Sequence, residues 1–187
     1  GPARVPRQRT PLMSIPAPTK APGPALAWGL AAAAARAQGV RTGKNISLEL
    51  ASQVAAAGVA ACAANGYAVA ATVVDRAGIV KAMQRADNAG PHTLASSQQK
   101  AFTSASAKNT TLAIMESAQK NPAAANLVNI PGYLLLGGGV PLTVGNEVIG
   151  AVGVGGAPGC DLDQTCALAA TAKVQAEPKD ADKPASG

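Results

Sequence analysis

Val69-Ala70-Ala71-Thr72-Val73-Val74-Asp75-Arg76-Ala77-Gly78-Ile79-Val80-Lys81-Ala82-Met83-Gln84-Arg85 decides how this chain is read. Val69 to Val74 is a short apolar run with β-branched residues, the pattern of a buried strand. Asp75-Arg76-Ala77-Gly78 has turn chemistry, because an aspartate carboxylate bonds backbone amides two residues on. Ile79 to Arg85 returns as a second strand, with imperfect alternation. A strand, a tight turn and a returning strand make a hairpin, hence an antiparallel sheet.

Working towards the N-terminus, Ser47 is a good N-cap for a helix over 47–64, with Leu50, Val54, Ala57 and Ala61 at helical spacing. Asn65-Gly66 ends it. Towards the C-terminus, Asn88-Ala89-Gly90-Pro91 is a loop, and a helix over about 94–107 carries the stripe Leu94, Gln98, Ala101, Ala105. A shorter helix spans about 111–119 and stops at Asn121-Pro122. Leu134-Leu135-Leu136 reads as a strand interrupted by Gly137-Gly138-Gly139. Val140–Val144 then pairs with Glu147–Val154 across Gly145-Asn146, a dipeptide suited to a hairpin turn. Asp161 is read as the cap of a last helix over about 162–175. Helices on an antiparallel sheet give an α+β class.

Composition sets bounds on stability and partners. Apolar residues make up 48% of the 187, but aromatics only 2%, so Ala, Val, Leu and Ile must build the core. Such side chains bury little area each, and burial stabilises by about 25 cal/mol per Å². Self-association into a dimer or higher homo-oligomer is the expected remedy. The net charge of +6 resides in residues 1–43, where Arg4, Arg7, Arg9, Lys20, Arg36 and Arg41 meet no acid; bases and acids cancel over 44–187. Nucleic-acid binding requires basic residues clustered on a folded face, so no nucleic-acid partner is expected.

Residues 1–43 form a basic, Pro- and Ala-rich leader. Its run Ala25–Ala35 and the small-x-small end at Ala35-Arg36-Ala37 fit a secretory signal peptide, and the run is too short to span a bilayer. The expectation is a periplasmic or secreted protein, with a cytoplasmic one as the alternative. Residues 44–176 form the domain and 177–187 a charged tail. Cys160 and Cys166 are too far apart for a zinc pair. They are read as able to bridge a loop and a helix turn, or to stay reduced, and Cys62 as a small buried thiol.

His92 is the only histidine, and it follows the stiff Gly90-Pro91. No Gly-x-Ser-x-Gly elbow and no dinucleotide-binding Gly-x-Gly-x-x-Gly unit is present. His92 therefore either ligates a metal or haem iron, or caps the local main chain. Arg85 and Asp87 either pair on the surface or flank a pocket with His92 and Lys100. Lys100 points either over that pocket or into solvent. Gly138 and Gly139 leave room for a ligand or for another backbone.

Val73-Val74-Asp75-Arg76-Ala77-Gly78, Arg85-Ala86-Asp87-Asn88-Ala89, Lys100-Ala101-Phe102-Thr103, Gly138-Gly139-Val140-Pro141 and Gly150-Ala151-Val152-Gly153-Val154 occur in the order seen in the GlcG/HbpS family. Over roughly 45–175 the chain resembles that family, to which the C-terminal domain of PduO is related. The resemblance implies a five-stranded antiparallel sheet flanked by helices, a profilin-like sandwich, and a haem-binding protein assembled from several copies. In PduO-like domains the haem histidine lies in the first helix; 47–64 has none here, leaving His92.

The expected function is a small-molecule binding protein for haem or a similar planar, anionic ligand. Its pocket would include His92 as metal ligand, with Arg85, Asp87, Lys100, Gly138 and Gly139 around it. The alternative is an enzyme of small organic-acid or aromatic catabolism, with His92 as catalytic general acid or base and Arg85 and Lys100 holding a carboxylate. A scaffold without a ligand is the third reading.

Overall fold

The computed structural model describes residue 39 and residues 41–176. Most of the expected leader, with its apolar run, and the 177–187 tail lie outside them. Helix α1 is Leu48–Ala63, and Ser47 caps it by accepting from the Leu50 amide. Strand β1 is Ala70–Asp75 and β2 is Val80–Arg85. Between them the Asp75 carboxylate accepts from the amides of Ala77 and Ile79, at 2.9 and 3.0 Å. Helices α2 (His92–Ala107), α3 (Thr111–Lys120) and the single turn α4 (Pro122–Ala125) follow. A 3-10 turn at Asn126–Asn129 leads into an irregular stretch. Strands β3 (Gly139–Val144) and β4 (Glu147–Gly155) form the second hairpin, and α5 (Cys160–Gln175) closes the domain.

The antiparallel sheet has the order β2-β1-β4-β3. Among the described residues it contains four strands rather than five, because Leu134–Leu136 does not pair. Side chains of the helices take amides in and just after that segment. Leu134 N donates to Thr103 Oγ1, Gly138 N to Gln164 Oε1 and Gly139 N to Thr111 Oγ1. An apolar run needs a free neighbouring edge to become a strand, and here the helices reach its backbone first.

Alternation divides the sheet into two unequal layers. Ala71, Val73, Val140, Leu142, Val152 and Val154 join α1 and α5 in the large apolar core. On the other face only Val74 and Ala151 meet Ala101 and Ala105 of α2. The rest of that layer is polar: Thr93, Ser97, Lys100, Thr103 and Ser104 of α2 are all buried, and Ser97 Oγ lies 2.7 Å from Thr72 Oγ1. Of the expected stripe Ala101 and Ala105 are buried, while Leu94, 39% exposed, and Gln98 give way to Thr93, Ser97, Lys100 and Ser104. On α1 the fully buried residues are Ala51, Val54, Ala55, Gly58 and Cys62, and the expected Leu50, Ala57 and Ala61 pack half-buried beside them. A Cβ on Gly153 would overlap the Ser97 carbonyl oxygen, so α2 lies directly on the backbone of β4. There is no depth there for leucines.

The cysteines pair differently from the reading that linked Cys160 with Cys166. Cys62 of α1 is bonded to Cys166 of α5, and Cys160 is free. Cys160 and Cys166 are six positions apart on one helix, which puts them on different faces; Cys62 and Cys166 face each other across the core. The bond closes a loop of 104 residues, long enough to stabilise by about 4–5 kcal/mol in the chain-entropy picture. Nor does Asp161 cap α5: Gly159 is the N-cap, and Asp161 lies in the first turn.

Two outcomes follow for the intact protein. Thiol titration of the denatured, unreduced chain gives one reactive thiol, and reduction raises it to the three cysteines present. Gly153→Ala destabilises by about 1–3 kcal/mol in urea unfolding, because an inserted methyl must displace α2 from the sheet.

Candidate functional site

The residues expected to share a pocket divide into two groups. His92 is the first residue of α2 and is exposed. Its turn is fixed by Thr93, whose amide and hydroxyl both donate to Gly90 O, at 3.1 and 2.7 Å. The imidazole makes no hydrogen bond, ion pair or ring contact to any of the described residues. It neither caps the helix nor closes the loop.

Arg85 ends β2, and its guanidinium donates to the carbonyl of Ala89, holding the 86–90 loop against the strand. It does not pair with Asp87, which is exposed and makes no contact of those kinds. An alternating strand puts Arg85 and Met83 on the same face. Met83 stands opposite Thr72, whose hydroxyl meets Ser97, so this is the face that α2 covers. Met83 and Leu94 remain 37% and 39% exposed. Arg85, Asp87 and His92 therefore belong to one exposed connection, with apolar surface on the strand and on the first turn of the helix.

Lys100, Gly138 and Gly139 lie elsewhere. Lys100 is 1% exposed and reaches neither a ligand pocket nor solvent. Its Nζ donates to Asp163 Oδ2 at 2.8 Å and to Val154 O at 3.0 Å, and Asp163 Oδ1 accepts from Ala157 N at 2.9 Å. Eight residues of helix separate Lys100 from His92, about 12 Å along the axis. Gly138 and Gly139 face this same cluster. A Cβ on Gly139 would overlap the Lys100 carbonyl, and Gly138, at φ +121°, would bring one to 3.1 Å from Lys100 Nζ. Gly139 admits the backbone of α2, and Gly138 the Val154 carbonyl of β4.

The carboxylate held by Lys100 is thus Asp163, so the enzyme reading loses one of its two substrate cations. Every buried side-chain polar atom among the described residues has a hydrogen-bond partner, which leaves the interior cluster chemically closed. No three His, Cys, Asp or Glu side chains among these residues are grouped to hold a metal ion.

Sequence reasoning missed Asp163, Gln164 and Thr111. A signal for Asp163 existed: with Cys166, Ala167, Ala170 and Val174 it forms an i, i+3, i+4, i+7, i+11 stripe, the buried face of α5. Reading Asp161 as a cap drew attention away from it.

The family described as haem-degrading protein HbpS-like matches residues 46–172. Protein GlcG of Escherichia coli strain K12 is 35% identical over 109 residues, covering 58% of this chain and 80% of that protein. A double mutant of HbpS from Streptomyces reticuli superposes with a TM-score of 0.67 at 33% identity, covering 85% of this chain and 97% of that one. Protein ORFY of Klebsiella pneumoniae superposes at 0.70 with 31% identity, covering 74% and 97%.

Breaking the interior pair tests its part in the fold. Lys100→Met leaves Asp163 buried without its counter-charge and costs about 3–5 kcal/mol in urea unfolding, whereas adding Asp163→Leu restores most of the loss.

Proposed function

The chain belongs to the HbpS-like family, and from that premise we propose that it binds haem at the connection between β2 and α2, where His92 would hold the iron. One observation carries the reading: the only histidine of the chain presents a ring whose nitrogens are engaged by none of the described residues. Iron is held through an imidazole nitrogen, so a ring already spent on the main chain would not serve.

The surroundings suit the remainder of the ligand. Met83 and Leu94 offer apolar surface to a macrocycle, and Arg85 keeps donors beyond the one given to Ala89, suited to a propionate. His92 would hold the iron and Arg85 a carboxylate; bound haem would supply redox chemistry at its iron. We read the protein as exported, a reading supported by the Cys62–Cys166 bond, since such bonds persist in oxidising compartments.

Titration of the protein with ferric haem is expected to give a saturable, shifted Soret band. His92→Ala abolishes the shift and weakens binding at least about tenfold, or about 1.4 kcal/mol. Arg85→Ala weakens binding by a few-fold and leaves the band where it was. An unchanged spectrum and affinity in His92→Ala would remove His92 as the ligand.

A further inference from the structure

The imidazole of His92 makes no hydrogen bond, yet it leans on the loop that precedes its helix. A Cβ on Gly90 would stand 2.7 Å from Cε1 and 2.8 Å from Nδ1 of that ring, against 3.9 Å from Nε2. Apart from the chain neighbours of Gly90, these ring atoms are the nearest to that point. Glycine lets another group approach the backbone this closely, and a side chain would not. The φ of Gly90 is not positive, so the turn itself does not demand a glycine. The space above Gly90 serves the ring.

The two near atoms are bonded neighbours and Nε2 is much farther, so the ring presents its Cε1–Nδ1 edge to Gly90. A ring lying flat over that point would hold Nε2 close as well. Gly90 is itself held in place. Its carbonyl accepts from the amide and the hydroxyl of Thr93, at 3.1 and 2.7 Å. Ala89 before it is 2% exposed, with its carbonyl taken by Arg85, and Pro91 after it has its φ locked by the pyrrolidine ring. From these features we infer that Gly90 is a positioning residue: it seats the His92 ring edge-on, with Nδ1 against the loop and Nε2 clear of it. A bulky planar ligand needs clearance around the nitrogen it binds, and the two imidazole nitrogens are distinguished by what stands beside each. Nε2 is therefore the nitrogen offered to iron. This step rests on the haem reading above.

Nuclear magnetic resonance of the haem-free chain tests the seating, because a single histidine gives a single Hε1 signal. Cross-relaxation from Hε1 to the Gly90 α protons is expected. Gly90→Ala moves the Hε1 signal, while the protein unfolds at or slightly above the wild-type urea concentration, since the added methyl meets only a ring that can turn aside. The same variant weakens ferric haem binding by about tenfold, the scale of loss when a group that orients a metal ligand is changed. In a His92→Ala background, Gly90→Ala alters affinity by less than about twofold. Absence of the Hε1 contact to Gly90 overturns the seating, whatever haem does. A Gly90→Ala protein that binds haem like the wild type overturns the positioning role, as does an equal loss in the His92→Ala background. If the contact is present but His92→Ala leaves haem binding unchanged, the haem reading fails and takes the assignment of Nε2 to iron with it.

Discussion

Helix α2 lies so close to β4 that only a glycine fits beneath Ser97, and that contact governs the rest of the domain. A helix pressed onto bare backbone cannot use leucines, so the layer is made of Thr, Ser and Ala with their hydroxyls engaged. Within it Lys100 and Asp163 form a buried ion pair, and burying two charges is costly unless their hydrogen bonds are completed. Here Val154 O accepts a second bond from Lys100, and Ala157 N donates to the other oxygen of Asp163. Because the partners come from α2, the end of β4, the following loop and α5, the pair fixes four pieces of chain in one arrangement. A small slip of α2 would leave a charge unmet, so the cluster gives this layer a definite geometry where weak apolar packing would not.

The opposite layer works by ordinary apolar burial, assembled from small side chains. Its depth is limited because alanine and valine contribute little area each, and the Cys62–Cys166 bond ties α1 to α5 through the middle of it. The same shortage leaves apolar side chains uncovered at β2, where one helix layer does not reach the outer strand. Sheet order makes β2 the open edge, and the proline and the packed helices close the other.

The interior cluster and the surface ring divide the labour between structure and chemistry. Lys100, Gly138 and Gly139 hold α2 in place, and every buried side-chain polar atom among the described residues has a partner. His92, at the start of the same helix, has no hydrogen-bond or ion-pair partner among the described residues, because it precedes the contact with β4. The cluster thereby sets where the ring stands without touching it.

Hairpins are local, and they were legible, as was the first helix start: the Asp75 turn and the cap at Ser47 act within four residues, and β3 and β4 join across Gly145-Asn146. Element order and the α+β class follow from those signals. Sequence spacing identifies a helix but not which side of it faces inward, since any stripe has the same period. For α2 that choice rested on glycines more than fifty residues away in β4, and it reversed the expected roles of Leu94 and Lys100. The partner of Lys100 is 63 residues distant and that of Cys62 is 104. The apolar run at 134–136 is not a strand: Thr103 takes the amide of Leu134, and Gln164 and Thr111 take those of Gly138 and Gly139 just after it. The chain by itself determined which segments are helix or strand and that a single imidazole is present. Only the folded arrangement decided which charges are sealed together and which ring stays in solvent, because burial depends on neighbours that meet in space and not along the chain.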